Sequence, residues 1–130
     1  MRIESLWRLV LAITLITNFA MSHAIGLATP DKIDGVFVHP QKLQAGVSLV
    51  TELPLDQPEA VKRLEEKANN YITFLKSGQL WAHAPNANRE LPVVLVFMFL
   101  KNPSPDATQN ILRIGKLLKS EGFELVLREY

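Results

Sequence analysis

Hydrophobic and polar positions divide the chain into short runs with different periods. Ile33-Asp34-Gly35-Val36-Phe37-Val38-His39 gathers β-branched and aromatic side chains and predicts a strand. Val47-Ser48-Leu49-Val50-Thr51-Glu52 predicts a second strand, so the pair reads as a hairpin with Pro40 to Gly46 as its connection. Val61, Leu64, Ala68, Tyr71, Ile72 and Leu75 then recur at spacings of three and four, which is one apolar stripe of a helix. Lys62, Arg63, Glu65, Glu66, Lys67 and Asn69 fall mostly off that stripe. Asp56 and Glu59 have the spacing of a capping box, Pro58 falls in the first turn and Gly78 ends the helix. Gln79 to Leu91 reads as irregular.

Pro92-Val93-Val94-Leu95-Val96-Phe97-Met98-Phe99-Leu100 has no polar alternation, and its length and Val/Phe content predict a strand buried on both faces. Ser104 and Pro105 start a second helix with Ala107, Ile111, Ile114 and Leu118 as its core stripe, and Gly122 ends it. Phe123 to Glu129 closes the chain as a last strand, with Phe123, Leu125 and Leu127 on one face. The order ββαβαβ predicts an α+β domain: a single mixed four-stranded sheet with two helices on one face.

That architecture leaves apolar strand side chains without a helix. If Ile33 and Phe37 face the helices, Val36 and Val38 point away. Val50 opposes Val47 and Leu49. The third strand has an apolar row on each side. Successive strand residues alternate faces, so two helices cannot bury all of these rows. The expectation is a homodimer or a protein partner on the second sheet face. The competing expectation is that the N-terminal segment, with Ile25 and Leu27, folds over that face.

The first 24 residues have a composition of their own. Arg2 and Arg8 precede the apolar stretch Leu9 to Thr17, and Ser22 and Ala24 are small residues two apart. Charged start, apolar middle and small-residue exit predict a secretory leader cut near Ala24, which would place residues 25–130 in the periplasm or outside the cell. The alternatives are an uncleaved anchor, or translation from Met21 and a cytoplasmic protein.

Composition narrows the function classes. Of 14 Lys/Arg and 13 Asp/Glu, only Arg2, Arg8 and Glu4 precede residue 25, leaving 12 of each sign in the rest. A balanced surface speaks against nucleic acid, which needs a surplus of cations. Neither helix is both basic and strongly amphipathic, so no membrane partner is expected of the mature domain. The chain has no cysteine, which removes thiol chemistry and Cys-based zinc sites. His39 and His83 have no carboxylate at ligand spacing, so no metal and no cofactor are expected. Glu65 and Glu66 are helix neighbours that point in different directions. Asp31 and Asp34 could bracket a site, although turn chemistry at a strand entrance is the commoner use.

Two features remain as candidate contacts with a ligand or partner. Asn69 and Tyr71, beside Phe74, could form a polar patch against an apolar wall. The plainer reading has the Tyr71 ring in the core with its hydroxyl reaching the sheet edge. Trp81 and His83 lie in the central loop, where Trp81 is either a recognition residue or a lid over one end of the core. The favoured function is a non-enzymatic protein-binding or self-associating module. The alternative is a small-ligand binder or enzyme using a cleft beside the loop 79–91.

Several landmarks carry a resemblance. Pro30-Asp31-Lys32-Ile33-Asp34 opens the first strand. Leu64-Glu65-Glu66-Lys67-Ala68-Asn69-Asn70-Tyr71-Ile72-Thr73-Phe74 is followed by Ser77-Gly78-Gln79-Leu80, and later come Pro92-Val93, Pro103-Ser104-Pro105 and Gly122-Phe123. Over about residues 30–130 the chain resembles a family of small bacterial domains of unknown function. The resemblance implies no activity, cofactor or catalytic residues. It implies a start near the first strand without a leader, which favours Met21.

Overall fold

The computed structural model describes residues 26–130. The predicted leader, its cut after Ala24, the Met21 start and Ile25 lie outside the described residues. Seven elements follow in order: β1 (Gly35–His39), β2 (Gln44–Val50), α1 (Pro58–Lys76), α2 (Leu80–His83), β3 (Val94–Phe99), α3 (Pro105–Ser120) and β4 (Glu124–Glu129). The strands form one mixed sheet in the order β1-β2-β3-β4. β1 is antiparallel to β2, while β2, β3 and β4 run parallel. The α+β class and the strand and helix order are therefore as the periodicity predicts. The added element is α2, a single turn within the segment read as irregular.

Both long helices pack on one face. Leu64, Ala68 and Tyr71 of α1 and Ile111, Ile114 and Leu118 of α3 join Val47, Leu49, Leu95, Phe97 and Phe99 in one buried cluster. A second cluster holds Phe37, Val50, Val94, Val96 and Met98, with Val126 packed against it. These residues alternate with the first set along their strands, so they lie on the opposite face. All six residues of β3 are buried. Its apolar run serves both clusters.

Ile33, ahead of β1, packs on the helix side as expected, but within β1 the faces are reversed: Val36 and Val38 pack on the helix side and Phe37 belongs to the second cluster. The reason lies across the hairpin. Phe37 is paired with Gly46, and a Cβ at Gly46 would overlap the Phe37 ring. The ring occupies the space that a glycine leaves open in a strand. Gly46 is thus a strand residue and not part of the turn. The connection shrinks to Pro40–Leu43, with Leu43 at a φ of 51° making the reversal. His39, the last residue of β1, is buried, and its Nδ1 accepts from the Gln41 N–H at 3.3 Å.

Leu27 is fully buried in the helix-side cluster, so it does not cover the second face. The expected capping box is absent too. The N-cap of α1 is Gln57 without a side-chain bond, and Asp56 Oδ2 accepts instead from the Ser104 hydroxyl at 3.1 Å. Glu59 pairs with Arg63. Ser104 caps α3 as predicted, accepting from the Ala107 N–H at 3.1 Å.

Gly46→Ala should cost about 1–3 kcal/mol through overpacking against Phe37. Adding Phe37→Leu should recover part of that loss in urea unfolding. A neutral single variant would contradict the ring-over-glycine contact.

Candidate functional site

The most polar place inside the described domain lies where β1 begins. Asp34 precedes the first paired residue, Gly35, and α1 brings Lys67 and Tyr71 against it. Lys67 Nζ lies 2.6 Å from Asp34 Oδ1, and both side chains are wholly shielded from solvent. Asp34 Oδ1 also accepts from the Gly26 N–H at 3.0 Å, and Oδ2 accepts from the Val50 N–H at 2.7 Å. Lys67 donates further to the Gly26 carbonyl at 2.5 Å. The Tyr71 hydroxyl accepts from the Asp34 N–H at 2.8 Å and donates to the Ser48 carbonyl at 2.5 Å. Nearby, Glu52 Oε2 accepts from the Leu27 N–H at 2.6 Å.

These bonds explain why β1 starts at Gly35 and not at Ile33. The Asp34 amide is satisfied by a tyrosine, and its carboxylate takes the amide of Val50. Gly26 fits because its φ is 88° and because a Cβ would overlap the Glu52 carboxylate. Burial drives Asp34 above its ordinary carboxylate value, against the lowering influence of Lys67 and two backbone N–H donors. Burial drives Lys67 the other way, opposed by Asp34. The Tyr71 hydroxyl is raised well above its usual range by burial first and by the Asp34 charge next. Every polar atom of this trio faces protein. Its chemistry is to hold the segment around Gly26 and the mouth of the hairpin against α1, and no substrate atom can approach it. Lys67 was missed in the sequence because it reads as a solvated charge, yet it sits three residues after Leu64 and four before Tyr71, on the apolar stripe.

The four residues singled out from the sequence do not converge. Tyr71 is in the core and Asn69 is exposed on α1. Asn70, not Asn69, ties the N-terminal segment, donating to the Pro30 carbonyl at 3.0 Å. Trp81 is half-buried against the helix-side cluster, with the Arg89 guanidinium 5.2 Å from its ring centre. His83 is exposed and its ring lies 6.2 Å from that of Phe74. Of the four, only His83 lines the cleft beside the loop. That cleft encloses about 440 Å³ between Ile33, Val36, Phe74, Gln79 and the exposed Asp31 and Lys32. A smaller cavity of about 240 Å³ lies at the carboxyl ends of β2 and β3. At its rim Asp56 and Ser104 are already bonded to each other.

The sheet has a third feature. β4 is an outer strand, and Leu112 of α3 and Leu127 of β4 are 57% and 39% exposed. α3 crosses β4 at Gly115, where an added Cβ would touch Leu125 and Leu127. Leu112 is one turn before Gly115, so α3 carries it on the flank toward the outer edge of β4. Among the described residues, no group of three or more His, Asp or Glu could hold a metal ion, and no helix is long and apolar enough to cross a membrane.

The fold and these sites define a small α+β domain on one mixed sheet, its N-terminal segment pinned by a buried ion pair. Residues 25–130 match DUF6572, a family of unknown function, and the chain belongs to that family. No curated protein and no solved structure matches the chain.

Lys67→Met should destabilise the domain by about 3–5 kcal/mol, because it leaves a buried carboxylate without its partner. A carboxyl with a raised folded pKa stabilises fully below its unfolded value of 3.8 and loses that contribution as pH rises through the folded value. Removing the ammonium enlarges the rise. The gap between parent and variant should therefore narrow as pH falls, read from urea midpoints across the acid range. A gap that widens on acidification would reject this account.

Proposed function

We propose that the domain is a non-enzymatic, self-associating module that works through its sheet. The observation that carries this reading is the outer edge of β4. Among the described residues nothing pairs with that edge, and two exposed leucines, Leu112 and Leu127, border it. An open strand edge offers a row of backbone donors and acceptors, and apolar side chains beside it add area to whatever pairs there. Among the described residues, the buried ionisable cluster of Asp34, Lys67 and Tyr71 is taken up in holding the fold.

A second reading is favoured by the cleft at His83. It is concave, and Asp31, Lys32, Gln79 and His83 converge on an apolar floor of Ile33, Val36 and Phe74. That combination suits a small polar ligand.

Light scattering on the full chain should give a mass that climbs from monomer toward dimer with concentration. Leu112→Glu should shift the curve toward monomer without lowering the melting temperature. A monomer at every concentration would reject self-association. For the cleft, a metabolite screen should yield a compound that raises the melting temperature of the parent but not of His83→Ala. Equal shifts in both proteins would place the ligand elsewhere.

A further inference from the structure

The outer edge of β4 has a backbone phase that the ladder to β3 fixes. Glu124 and Tyr130 donate their N–H groups to the carbonyls of Val93 and Phe99, and the Tyr130 carbonyl accepts from the Lys101 N–H. In a parallel ladder, alternate residues direct their backbone groups to opposite sides. The even-numbered residues of β4 thus bond toward β3. Leu125, Leu127 and Glu129 direct their N–H and C=O groups outward.

A second copy can add to this edge only if outward-directed residues meet outward-directed residues. An antiparallel pairing about a two-fold axis then has to centre on a residue, never between two. Centring on Leu125 sets Glu124 against Val126. Centring on Leu127 sets Val126 against Arg128 and Leu125 against Glu129. Centring on Val126 removes both conflicts. Leu125 faces Leu127 in hydrogen-bonded pairs, Val126 faces Val126, and Glu124 faces Arg128 twice. The last two pairings fall at non-hydrogen-bonded positions, where Cα atoms are about 4.5 Å apart and opposite charges interact best. Glu124 also accepts from Gln44 Nε2 at 2.9 Å, which holds its carboxylate on the second face of the sheet, the face that Arg128 shares.

We infer that two copies of this chain join β4 to β4 in an antiparallel, isologous pair centred on Val126, making one continuous eight-stranded sheet. This rests on the self-association reading and adds its surface, symmetry and register. The partner is a second copy because the strand is complementary to itself: the charges of Glu124 and Arg128 and the apolar residues between them are symmetric about Val126. Glu129 falls opposite Phe123 at the ends, where the strand leaves the ladder. Leu112 of each copy flanks the new seam and extends the contact beyond the two strands.

The chain has no cysteine, so an introduced one reports without background. Val126→Cys in the full chain should form a disulfide-linked dimer under mild oxidation, because the two sulfurs face each other across the axis. Thr108→Cys, exposed on α3, gives the collisional rate, and Val126→Cys should link at least about tenfold faster. Glu124→Arg should weaken the dimer tenfold or more by light scattering, and Glu124→Arg with Arg128→Glu should restore it. A parent chain that stays monomeric overturns self-association and this pairing together. A parent dimer whose Val126→Cys links no faster than Thr108→Cys, with no rescue by the charge exchange, overturns the pairing alone.

Discussion

The contact between Lys67 and Asp34 decides how the described domain is put together. An isolated charge in a protein interior is costly, and a buried pair persists only when further hydrogen bonds satisfy its remaining atoms. Here those bonds come from the backbone of two other segments. Gly26 gives its N–H to Asp34 and its carbonyl to Lys67, and Val50 gives its N–H to Asp34. The pair therefore fixes the relative position of three parts of the chain: the segment at Gly26, the open end of the hairpin, and the middle of α1. Tyr71, one turn further along α1, repeats the device with a neutral hydroxyl between Asp34 and Ser48.

That anchoring accounts for how the side chains divide between the two faces of the sheet. With α1 drawn to the hairpin and α3 crossing β4 at Gly115, both long helices occupy one side of the sheet. The strands still alternate, so Phe37, Val50, Val94, Val96 and Met98 collect on the other side. The β-α-β connections also place β4 at the outside of the parallel run, with nothing after it among the described residues but Tyr130. Its carbonyl and N–H return to Lys101 and Phe99. The open edge is thus a consequence of topology, and its charge pattern belongs to the strand.

The residues around the start of β1 and along α1 divide along the same line. Leu64, Lys67 and Tyr71 face inward, and Asp34 meets them. Asn69 on the same helix faces solvent, and Asp31 and Lys32 stand at the mouth of the His83 cleft. The inward residues read as the tie that holds the fold.

The sequence by itself determined the elements and their order. A stripe at three-and-four spacing, an unbroken apolar run, Ser104 before Pro105, and glycines at Gly78 and Gly122 are local signals, and each acts within a turn or two of chain. The tertiary structure alone decided which side of β1 faces the helices, because that depends on the Phe37 ring settling over Gly46 across the hairpin. It alone decided that Asp56 serves Ser104 in place of its own helix. It also decided that Lys67 is buried, since a lysine enters a core only where a carboxylate 33 positions away in sequence is already held to receive it. Such pairings have no short-range signature: the free energy that selects them appears only when distant segments meet and exclude water together.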